Sequence, residues 1–225
     1  MQNQKILGLG FMKTGLTSLF DILEQHGFAC HGRSRRAVFD LARGRVDAVM
    51  RLYDEGDAFI DWPHPYMFRP FHRRFGADAR FILTLRDEAK WYQSLLRHNA
   101  MAHPVTHTNY LMFGRFYPHG FEEEHRAIYR AHIAAVRAFI AEEGLEAQYL
   151  ELDVAAPDAY PKLCAFLGLE PLAEGFPWSN RSADHRPRNA FYRFRLRYNR
   201  AVQPLYGRHV PRLRPRPGPI LKPAL

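Results

Sequence analysis

Near its start the chain passes without interruption from a short apolar run, through a loop framed by glycines, into a helix-periodic segment, and this succession constrains it more than any other feature. Lys5-Ile6-Leu7-Gly8-Leu9 reads as a short buried strand, and Leu16, Leu19, Phe20 and Leu23 repeat at helical spacing before Gly27. Between them lies Gly10-Phe11-Met12-Lys13-Thr14-Gly15-Leu16-Thr17-Ser18. A loop placed there offers backbone amides and a helix N-terminus to an anion.

The rest of the chain continues the alternation. Residues 37–54 read as a second helix, and Ala58-Phe59-Ile60-Asp61 as a strand entering the turn Trp62-Pro63-His64-Pro65. Residues 80–85 form an almost unbroken apolar run of the kind a parallel sheet buries on both faces. Asp87 suits an N-cap for a helix reaching about Asn99. Residues 102–120 lack a period and read as a long loop; Glu122–Glu143 predicts an amphipathic helix, Gln148–Leu152 a strand, and 157–167 a helix closed by Gly168. Strands alternating with such helices predict an α/β domain with a central parallel sheet flanked by helices. At 225 residues one domain suffices, with residues 1–182 as its core and 183–225 as a basic C-terminal segment rich in aromatics and proline.

The loop nearly fits the Walker frame GxxxxGK[ST], since Gly10 and Gly15 are five apart and Thr17 follows correctly, but Leu16 stands where that frame needs lysine. An intact nucleoside-triphosphate site is thereby disfavoured, and a nucleotide kinase or NTPase remains the alternative. The cation sits at Lys13 instead, where it can stabilise charge developing on a leaving phosphate. Arg86 follows a buried strand, where open α/β sheets bind ligands, and Ser94 lies eight residues on, so the pair can converge on one phosphate. Asp61 and His64 leave another strand at the same edge; both are candidates for a general base.

Together these segments resemble the PAPS-dependent sulfotransferase family, whose first loop reads roughly P-K-x-G-T-T-S/T and whose second site pairs an arginine at a strand end with a serine eight residues later. Leu163-Cys164-Ala165-Phe166-Leu167-Gly168 followed by Phe176-Pro177-Trp178-Ser179-Asn180 resembles the closing stretch of one branch. The resemblance spans about residues 5–182 and implies a P-loop NTPase-like fold. It also implies metal-free in-line transfer from 3′-phosphoadenosine 5′-phosphosulfate (PAPS), leaving adenosine 3′,5′-bisphosphate (PAP). In this family the loop holds the 5′-phosphosulfate, which maps onto Lys13, Thr14, Gly15, Leu16, Thr17 and Ser18, and the 3′-phosphate maps onto Arg86 and Ser94. Met12 and Leu16 depart from the usual loop, and the family's Arg-Lys-Gly segment is absent, leaving Arg181, Arg186 or Arg188 for its role. Cytosolic members use a histidine in H-x-P as base; Asp61-Trp62-Pro63 matches that frame with an acid, which favours Asp61 over His64. The acceptor is expected to be a hydroxyl or amine on a small molecule or glycan.

The net charge of +9 comes from the C-terminal segment, because residues 185–225 hold eleven basic residues and no acid. A polyanion-binding module is therefore a third reading, although specific nucleic-acid binding is not expected. Phe191, Phe194, Tyr198 and Val202 recur at helical spacing there, predicting a helix packed by its aromatics with a solvated polar face, and contact with acidic surfaces is the other reading of this segment. Cys30 and Cys164 lack metal or disulfide spacing, and His103, His107, His119 and His125 have no regular frame for zinc. With no apolar run of membrane length and no room for a leader before the first strand, a cytoplasmic protein is expected.

Overall fold

Five short parallel strands form the central sheet in the computed structural model, which describes residues 4–100, 108–115, 117–172 and part of 190–202. They are β1 (Lys5–Gly8), β2 (Cys30–His31), β3 (Ala58–Phe59), β4 (Ala79–Thr84) and β5 (Tyr149–Leu152), in the order β2-β3-β1-β4-β5. β1 pairs with β3 on one side and with β4 on the other. β2 and β3 lie on one side of β1, with β3 between the other two, and β4 and β5 follow on the other side, so the crevice at the carboxyl end of β1 is the switch point where such sheets take ligands.

Register decides the two faces. Ile6, Ile60, Ile82 and Leu152 share one face and pack with Leu19 and Leu23 of α1 (Leu16–Gln25) and with Leu163 and Leu167 of α8 (Ala159–Leu167). On the opposite face Phe59 and Phe81 meet Phe71 of α4 (Phe68–Phe75), and Phe81 meets Phe139 of α7 (Glu122–Glu143). These rings are essentially sealed from solvent, and burying a side chain of this size contributes about 1.5–3 kcal/mol.

The chain divides into two compact units. One comprises residues up to Arg86 together with Ile133–Asn180 and the last three residues, and it contains the whole sheet. The other comprises Asp87–His132 and Arg181–Lys222. In the second unit, Asp87 caps α5 (Glu88–Asn99) by accepting the Lys90 amide at 2.9 Å. Trp91 stacks on Tyr129 with centroids 4.4 Å apart, and Tyr92 donates to the Pro118 carbonyl at 2.7 Å.

Three details differ from the sequence reading. The expected helix over 37–54 is broken into α2 (Arg35–Ala42), α3 (Val46–Met50) and a 3₁₀ turn (Arg51–Asp54), because Gly44 adopts a left-handed conformation (φ +73°) after α2. The expected loop over 102–120 contains a short helix, α6 (Asn109–Phe113), and its residues 101–107 and 116 lie outside the described residues. Described residues within 190–202 are helical, but Phe191, Phe194 and Tyr198 face solvent instead of packing. Among the described residues no helix is long and apolar enough to cross a membrane.

Candidate active site

The glycine loop leaves β1 and is tied at once to its neighbour strand, since the Leu9 amide donates to the Ile82 carbonyl at 2.8 Å. Gly10 passes so close to β4 that a Cβ there would lie 1.9 Å from Thr84 Oγ1. Thr14 Oγ1 donates to the Phe11 carbonyl at 2.6 Å, so in its 2.6 Å contact with Thr84 the Thr84 hydroxyl is the donor. The Thr14 amide also reaches the Phe11 carbonyl, at 3.2 Å. With its amide and hydroxyl donors turned inward and its side chain buried, Thr14 braces the loop.

Gly15 (φ +106°) starts α1 with no side-chain cap, and the first turn carries no acid. The unmet amide dipoles at such a start favour an anion. Gly15 is also where the loop settles on the segment after β5: an added Cβ would lie 2.1 Å from Val154 Cγ2. Thr17 is exposed and Ser18 buried. Leu16, at the Walker lysine position, belongs to the apolar core under α1 and is 7% exposed, so no cation can stand there.

Lys13 and Asp61 are the non-glycine residues with positive φ among the described residues, at +72° and +74°. Each occupies the first turn beyond a strand, Lys13 after β1 and Asp61 after the adjacent β3, and strained backbone of this kind concentrates at functional sites. Asp61 Oδ1 accepts the Trp62 amide at 2.8 Å, while Oδ2 makes no hydrogen bond among the described residues. Burial pushes the Asp61 carboxyl above the ordinary range, and the Trp62 amide and the charges of Arg33 and Lys13 pull it back only in part. The result is a more basic carboxylate held near two cations. Arg86, beyond β4, donates from Nη1 to the Lys13 carbonyl at 3.1 Å, fixing the strained residue from the other side.

His64 stands apart from this group. Its backbone amide closes the turn onto the Asp61 carbonyl at 2.9 Å, and its ring is fully buried with Nδ1 3.0 Å from Tyr53 OH. Burial lowers its pKa to about 3, so it stays neutral. In the second unit Ser94 lies fully buried on α5, and Arg181 is outside the described residues, as are Arg186, Arg188, His103 and His107. His125 donates from Nδ1 to the Phe121 carbonyl at 2.8 Å and burial lowers its pKa to about 4. Among the described residues no three His, Cys, Asp or Glu side chains cluster as a metal site would need.

Sequence reasoning missed Arg33, Thr84 and Val154. Arg33 follows a two-residue strand too short to carry a period, and the other two acquire meaning only from contacts with the distant loop.

No curated protein matches the chain. Residues 5–185 nevertheless match the model described as "Sulfotransferase domain". The chain therefore belongs to the sulfotransferase domain family, whose general chemistry is sulfuryl transfer.

Proposed function

We propose that the chain transfers the sulfuryl group of 3′-phosphoadenosine 5′-phosphosulfate to a hydroxyl or amine acceptor by direct in-line displacement. The observation that carries this reading is the meeting, at the carboxyl edge of three adjacent strands, of an uncapped α1, Lys13, Arg86 and the Asp61 carboxylate. The α1 amides and Lys13 receive the 5′-phosphosulfate. As the sulfur–oxygen bond to the 5′-phosphate breaks, negative charge grows on the leaving oxygen, and Lys13 is placed to stabilise it without reorganisation. Asp61 takes the acceptor's proton as the acceptor's oxygen or nitrogen bonds to sulfur. Arg86, with Ser94 and Arg181, binds the 3′-phosphate. Lysine and amide dipoles supply the electrostatics, so the scheme assigns no role to a metal.

The test is a thermal-shift comparison of adenosine 3′,5′-bisphosphate with ATP on the full chain. A ligand at 100 times its dissociation constant stabilises by about 2.7 kcal/mol. Stabilisation by the bisphosphate supports the reading, and stabilisation by ATP with magnesium alone returns the site to the kinase class.

A further inference from the structure

The described helical residues within 190–202 include three large aromatic side chains that are mostly exposed. Phe191 is 70% exposed, Phe194 66% and Tyr198 53%. Their spacing of three and four residues aligns them as one stripe along the helix. Arg193 and Arg197 are exposed on the same helix, Arg197 at the border of that stripe, and Asn199 anchors the helix in its unit by donating to the Ala100 carbonyl at 2.9 Å. The surrounding segment, 185–225, has eleven basic residues and no acid.

An apolar stripe beside arginines is the pattern of a helix lying in the plane of a bilayer interface, its rings entering the acyl boundary and its cations meeting anionic headgroups. We propose that this helix docks the protein on an anionic lipid surface. Other occupants fit less well. A second copy would bring the same uncompensated positive charge against itself. Single-stranded nucleic acid is held in a charged groove floored by ring platforms, whereas these rings stand on the outer, solvent-facing side of a helix. Each arginine close to an anionic surface raises partitioning about five-fold, so charge and insertion act together.

Docking is read by co-sedimentation of the full chain with sucrose-loaded vesicles of phosphatidylcholine containing about one-third phosphatidylserine, against phosphatidylcholine alone. The chain should bind the mixed vesicles at least about ten-fold more tightly. Replacing Phe191, Phe194 and Tyr198 together by serine should weaken that binding by about ten-fold or more with the melting temperature unchanged, because the rings are exposed. Absence of binding to the mixed vesicles overturns the proposal, and so does binding that ignores the triple substitution. Tighter, ring-dependent binding of single-stranded RNA, or a dimer in gel filtration that the triple variant converts to monomer, assigns the stripe to another occupant. Bisphosphate binding is untouched in every outcome, so this inference stands or falls apart from the proposed activity.

Discussion

Gly15→Ala is the sharpest probe of the glycine loop, because the structure gives two independent reasons why no side chain fits. At φ +106° an L residue pays the left-handed penalty, about 1–2 kcal/mol. The new methyl would also lie 2.1 Å from Val154 Cγ2 and about 3 Å from two further Val154 atoms, and forcing an extra methyl into packed surroundings costs about 1–3 kcal/mol. Together they lower stability by about 2–5 kcal/mol, or roughly 5–15 °C in Tm for a chain of this size. Val154→Ala separates the two causes. Alone it costs about 1–2 kcal/mol in lost burial. Combined with Gly15→Ala it should make the double variant about 1–3 kcal/mol more stable than the sum of the single losses, since the overlap is gone and only the backbone penalty remains. Urea unfolding of the four proteins supplies the cycle. Purely additive losses, or a Gly15→Ala variant within about 0.5 kcal/mol of wild type, would refute this packing of loop against β5.

Lys13→Ala should cut turnover by about 10²–10³ while bisphosphate affinity stays, whereas Arg86→Ala should first weaken that affinity by about 1.5–3 kcal/mol; interchangeable kinetics would dissolve the assigned roles. Asp61→Asn should lower turnover by about 10²–10⁴ and abolish the acidic limb of the kcat profile. Because burial raises the Asp61 pKa, wild type loses stability as pH rises from the ordinary carboxylate range through that pKa, so the Asn variant should gain relative to wild type over that window, and a variant that loses ground to wild type there contradicts the assignment. His64 has the opposite sign. Its depressed pKa of about 3 makes its stabilisation complete above about pH 6.5 and lost on acidification, by about 1.4 kcal/mol per pH unit, so His64→Gln should flatten acid unfolding measured in urea, leaving the slope from His125. Chelators should leave turnover intact, and strict dependence on a divalent ion would favour phosphoryl transfer.

What the sequence disclosed follows the range of the interactions involved. β4 was legible because a nearly unbroken apolar run around Phe81-Ile82-Leu83 advertises a strand buried on both faces, and α5 and α7 because period and caps are local. β3 was read within Ala58–Asp61, whereas β2 has two residues, below the length at which alternation can be recognised, and the helix expected over 37–54 took no account of the break at Gly44. At the site, Leu16 disqualified the Walker reading by identity alone. Thr14 gave no such warning, since its place as a brace depends on Thr84, seventy residues away. The sequence favoured Asp61 over His64 as base from the frame of the turn, but it could not show that the His64 ring is buried against Tyr53.

The left-handed backbone of Lys13 and Asp61 has a consequence for anyone evolving this protein. Glycine at either position would relax the chain by up to about 1 kcal/mol, and selection for heat resistance would welcome both changes. Each would delete a charged group from the crevice. Under the roles proposed for Lys13 and Asp61, a library sorted on melting temperature alone would therefore drift toward sturdier variants without turnover, and these two positions should be locked before the library is made.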